Sequence, residues 1–178
     1  MMSIIYVFWM YVILFAVIGA LRGWVKELIV ACSIITALAA NALMRQYLPP
    51  LEPNSMDIKN VELFWVRTIV LLALTFFGYQ TVGIVPHLAS KAKRESLVEG
   101  FLGLIVGAIN GYLMVGTILS YYITDAQYPY PEVLGPPPAA IASSVQMLMT
   151  FMPPRWLGVP WVYFAPIICL IFIIVVYI

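Results

Sequence analysis

Residues 101–123 read FLGLIVGAINGYLMVGTILSYYI, 23 consecutive positions without a charged side chain and with glycine at 103, 107 and 111. About 20 apolar residues in a helix cross roughly 30 Å of hydrocarbon, so this run reads as a membrane-spanning helix. Working outward, similar runs lie at 3–21, 24–44, 62–86 and 157–178, with most of the charge confined to the short segments between them. Composition agrees: 63% of residues are hydrophobic and 10% charged, and mean hydropathy is +1.00. A soluble domain is about a quarter charged. The runs are continuous in Ile, Leu, Val, Ala and Phe rather than alternating, which predicts helices and not barrel strands. The expected fold is all-α, a polytopic transmembrane bundle of four core helices plus a C-terminal fifth.

The charge map sets an expected topology. Arg22 and Lys26 lie between the first two runs, and Lys91, Lys93 and Arg94 between the third and fourth. Both connections are expected on the cytoplasmic side, with the N-terminus outside and the C-terminus inside. The other two connections hold Arg45, Glu52, Asp57 and Lys59, then Asp125, Glu132 and Arg155, with no cationic excess. The first run is read as a retained helix, because its cations follow it and no small-residue cleavage pattern precedes Gly23. A net charge of +1, split over two loops, argues against nucleic acid as a partner. Lys91, Lys93 and Arg94 are candidates for contact with anionic lipid headgroups.

Gly103, Gly107 and Gly111 recur every fourth residue and, with Gly100, share one helix side, close to Asn110. Lipid gives no hydrophobic drive for helix association, so small residues and occasional polar side chains make the interfaces. This face is expected to be the main packing seam, within the chain or between subunits. Gly19 and Gly23 are further helix-packing candidates and end the first helix tightly, and Arg22, Trp24 and Lys26 form a short hairpin whose cations are expected to snorkel to headgroups. Ser96 and Glu99 stand three apart, a capping-box pattern that places a helix start at Ser96.

No catalytic set and no metal-ligand spacing is found, and no cofactor is expected. Cys32 and Cys169 lie near mid-membrane and read as small apolar residues unless their helices are adjacent. His87, the single histidine, is read as interfacial; axial ligation of a chlorophyll magnesium or haem iron is the minority reading. Arg67 is expected to snorkel or pair with Glu62.

Between the fourth and fifth runs, residues 128–138 contain five prolines and read as a stiff, extended strap. Ile141, Val145, Leu148 and Met152 then recur at helical spacing opposite Ser144, Gln146 and Thr150, which predicts a short amphipathic helix in the outer interface ended by Pro153 and Pro154. Trp156, Trp161, Tyr163 and Phe164 suggest an aromatic belt, and Pro166 a bend. The expected organisation is therefore a core at 1–124, an outer loop with its helix at 125–155, and a C-terminal helix at 156–178.

The hairpin Leu21-Arg-Gly-Trp-Val-Lys-Glu27 together with Gly103, Gly107 and Gly111 resembles the colicin V production (CvpA) family over roughly residues 1–124. The resemblance implies a bacterial inner-membrane protein of four core helices, linked to envelope homeostasis and peptide-toxin export. Where family members carry polar residues, this chain has Ile5, Glu99-Gly100 and Asn110. Two roles stay open: a non-catalytic protein assembling with itself, with other membrane subunits or with lipid, and an accessory subunit of a respiratory or photosynthetic complex. A channel or transporter is the weaker reading, for want of a visible intramembrane charge path.

Overall fold

The computed structural model describes residues 3–47, 60–84 and 96–177, and among them every regular element is a helix. In chain order these are α1 (Ile4–Arg22), α2 (Trp24–Tyr47), α3 (Asn60–Ile84), α4 (Ser96–Thr124), α5 (Ala139–Thr150), α6 (Pro153–Trp156) and α7 (Trp161–Tyr177). Four helices, α1 to α4, are long and apolar enough to cross a membrane. The fifth run yields α7 with 17 residues, about 25 Å at 1.5 Å per residue. Its start falls at Trp161 rather than 157 because Pro160 lacks an amide donor and disfavours helix at Val159.

The most extensive interhelical contact joins α1 to α4; α2 packs on α3 and α4, and α7 on α2. Val30, Ile34 and Ala37 of α2, Leu71 of α3 and Leu113 of α4 form the central apolar cluster. A single residue separates α1 from α2. Gly23 has φ 87°, a positive φ that favours glycine, and donates its amide to Gly19 O at 2.9 Å. Its carbonyl accepts the Glu27 amide at 3.3 Å, so the same residue opens α2. The place where α1 turns into α2 is called the hairpin end below, and the opposite end of the bundle the Arg67 end.

At the Arg67 end α5 departs from its expected setting. Val145, Met149 and Met152 are buried in one cluster with Ile4, Phe8 and Leu119, so its apolar face rests on protein, not on lipid alone. Pro153 and Pro154 do not simply stop α5; they occupy the first positions of α6, where a missing amide costs nothing. The strap is not uniformly extended either. A turn at Tyr130–Leu134 closes with Leu134 N to Tyr130 O at 3.0 Å. The Tyr122 hydroxyl donates to Leu134 O at 2.8 Å, and Trp65 Nε1 donates to the Tyr130 hydroxyl at 3.2 Å.

Candidate functional site

The glycines of α4 meet α1 inside the chain. A β-carbon on Gly107 would lie 2.8 Å from Gly19 Cα and against the Phe15 carbonyl; one on Gly19 would lie 2.7 Å from Gly107 Cα. Gly103 faces Gly19 and Gly23, and Gly111 faces Val12 and Phe15. Gly100 has more room, its nearest neighbour being Ala20 O at 3.6 Å. Backbone-to-backbone approach of this kind is where a membrane bundle gains dispersion contact without a hydrophobic drive. A second close approach pairs Gly78 of α3 with Ser33 of α2, where a β-carbon would stand 2.5 Å from Ser33 Cβ.

Beside the seam sits a buried charge. Glu27 is fully buried in the first turn of α2, where the helix dipole favours a carboxylate. Asn110 Nδ2 donates to Glu27 Oε2 at 2.8 Å and to Glu27 O at 2.9 Å. Arg22 reaches back over the hairpin, with Nη1 3.4 Å from Glu27 Oε1 and its guanidinium 4.3 Å from the Tyr79 ring centre. Arg22 is thus turned into the bundle, with a side chain only 26% exposed, instead of extending to headgroups; the pull of a buried carboxylate is the reason. Trp24 and Lys26 are half-buried. Replacing Asn110 with leucine is expected to lower stability by roughly 2 kcal/mol, the scale of hydrogen bonds to a charged group, read as a drop in thermal midpoint in detergent.

A second charged network occupies the Arg67 end. Arg67 is buried, forms an ion pair through Nη1 with Asp125 Oδ2 and stacks 3.5 Å from the Tyr121 ring centre. Asn41 Nδ2 donates to Arg67 O at 3.2 Å. Glu62, the expected partner of Arg67, is exposed. Arg67 lies on the same face of α3 as Leu63, Leu71 and Gly78, which turns it inward toward the end of α4. Between the two networks stands the apolar cluster of Val30, Ile34, Ala37, Leu71 and Leu113.

Cys32 and Cys169 are free thiols on helices that pack together, α2 and α7, near enough to influence each other. They are therefore neighbours and not lone apolar fillers. Treatment with copper-phenanthroline is expected to join them, so that two fragments cut between residues 125 and 155 stay together on a non-reducing gel, and Cys32→Ser abolishes the link. His87, Lys91, Lys93 and Arg94 lie outside the described residues. Among the described residues no group of three His, Cys, Asp or Glu side chains is placed to hold a metal ion.

Sequence reasoning passed over Glu27, Asn41 and the Arg67–Asp125 pair. A signal for the first two existed: Glu27, Val30, Ile34, Ala37 and Asn41 follow helical spacing, so the buried stripe of α2 begins and ends on a polar residue. The family model described as Colicin V production protein matches residues 5–153, so the strap and α5 fall inside the matched region, beyond the 1–124 expected. No curated protein and no solved structure matches the chain.

Proposed function

Because the chain belongs to the colicin V production protein family, and is a multi-pass membrane protein of that family, we propose that it acts without catalysis, by helix packing, in membrane assembly or envelope homeostasis. The observation that carries this reading is that the buried charges of both networks, Glu27 and Arg67, are each held by a partner side chain within the bundle, with an apolar cluster between them. Buried ion pairs of this type brace helices and fix register. A transport path instead needs polar groups that continue across the membrane. We place the protein in the bacterial inner membrane with its N-terminus outside and its C-terminus cytoplasmic, on the strength of Arg22 and Lys26 between α1 and α2 and of Lys91, Lys93 and Arg94 beyond α3. Its partners are membrane lipid and other membrane subunits or further copies of itself.

The test separates packing from chemistry. Glu27→Gln keeps the shape and the Asn110 hydrogen bond while removing the charge. In cells that depend on this chain for envelope integrity, dye exclusion should follow the amount of folded protein in the membrane, for this variant as for wild type. A Glu27→Gln protein that accumulates to the wild-type level yet leaves the envelope leaky would reject the packing reading in favour of a reaction or a proton step at Glu27. Native separation with mass spectrometry then distinguishes self-association from fixed-ratio assembly with respiratory or photosynthetic subunits.

A further inference from the structure

We propose that the recess at the Arg67 end binds the phosphodiester headgroup of an anionic phospholipid, phosphatidylglycerol in the simplest case. The recess has a volume of about 390 Å³ and opens between the ends of α2 and α4 and the turn from α6 to α7, a size within the range of small-ligand sites. Arg45 and Arg67 line it together with Tyr121, and Leu38, Leu157 and Val162 supply apolar wall. Among the described residues, no carboxylate lines it.

The donors are built in. Arg67 is 6% exposed, and its Nε has no hydrogen-bond partner among the described residues. A buried guanidinium N–H without an acceptor is costly, and phosphate oxygens suit its planar fork. Arg45 is exposed at the rim, in the last turn of α2. Against Asp125, which pairs with Arg67, the two arginines leave one positive charge uncompensated among the described residues that line the recess. A phosphodiester carries one negative charge and matches it. A zwitterionic headgroup would bring an ammonium toward Arg45, and free phosphate would leave the Leu38, Leu157 and Val162 wall uncovered.

Depth agrees with the chemistry. Arg45 lies two residues before the end of α2 and Asp125 one residue past the end of α4, the level at which headgroups meet the acyl region. Basic pockets between membrane helices are a known way of holding anionic headgroups. This recess is separate in sequence from the Lys91, Lys93 and Arg94 cluster, and it brings buried geometry rather than surface charge alone.

The experiment is native mass spectrometry of the intact protein in neutral detergent, titrated in parallel with phosphatidylglycerol and phosphatidylcholine. Wild type should retain phosphatidylglycerol over phosphatidylcholine by roughly ten-fold, the effect of one charge-assisted hydrogen-bond set. Arg45→Gln should shrink that preference to within about two-fold, and Ala42→Leu, which grows into the recess from its wall, should lower occupancy comparably. Both variants leave the Arg67–Asp125 pair in place, and unchanged thermal midpoints would show them folded. Lys26→Gln, at the hairpin end, should bind like wild type. Equal retention of the two lipids by wild type, or a phosphatidylglycerol preference that survives both variants, overturns the proposal. Displacement of phosphatidylglycerol by millimolar inorganic phosphate would also overturn it, by making the recess a phosphate site and not a lipid site.

Discussion

Gly107→Leu should separate α1 from α4 and lower stability by about 3 kcal/mol or more, the upper part of the range for overpacking. The first carbon of the new side chain already stands 2.8 Å from Gly19 Cα and against the Phe15 carbonyl. Backbone cannot rotate away as a flexible side chain would, so the helices must move apart. Because α1 and α4 make the most extensive contact in the bundle, that movement forfeits dispersion along the whole seam. Net stability of a folded protein is only about 5–15 kcal/mol, so the variant should be scarce in membranes and unfold at a clearly lower temperature in detergent. Gly100→Leu is the contrast. Its β-carbon meets only Ala20 O, at 3.6 Å, and its midpoint should stay near wild type.

The second large effect lies at the other end. Asp125→Ala should cost about 3–5 kcal/mol, the penalty of leaving a buried charge without its partner, because Arg67 and Asp125 expose only 7% and 9% of their side chains. Tyr121 under the guanidinium offsets part of that loss but cannot neutralise it. Arg67→Met combined with Asp125→Ala should recover much of the stability, since an apolar pair of similar volume does not carry the desolvation cost. A double-mutant cycle on thermal midpoints reads the coupling directly. Additive losses would mean that the pair contributes nothing as a pair.

The positions of the four long helices were legible in the sequence because hydropathy over 20 residues is a strong signal and the bilayer leaves few alternatives. The seam was legible as a face, since the four-residue spacing of Gly103, Gly107 and Gly111 defines one. Its partner was not, because α1 is apolar all round and nothing in its composition distinguishes the side bearing Gly19. Glu27 sits five residues from Arg22 in a short hairpin, and nothing local marks it as buried; only the approach of Asn110, 83 residues away, shows it to be interior. Arg67 had a local carboxylate in Glu62 and took a distant one in Asp125, a choice made by the docking of α3 near the end of α4. The shortened start of α7 was readable in Gly158-Val159-Pro160, where proline chemistry outweighs hydropathy.

The central claim is that this glycine seam closes inside one chain, α1 on α4, rather than between chains. Cysteines placed at Ala20 and Gly100, in a chain whose Cys32 and Cys169 have been replaced by serine, test it most directly. On oxidation in membranes the doubly substituted chain should cross-link within the monomer, and co-expressed single-cysteine chains should give no Ala20–Gly100 dimer. A dimer formed between the two single-cysteine chains, with no cross-link inside the double variant, would contradict the account.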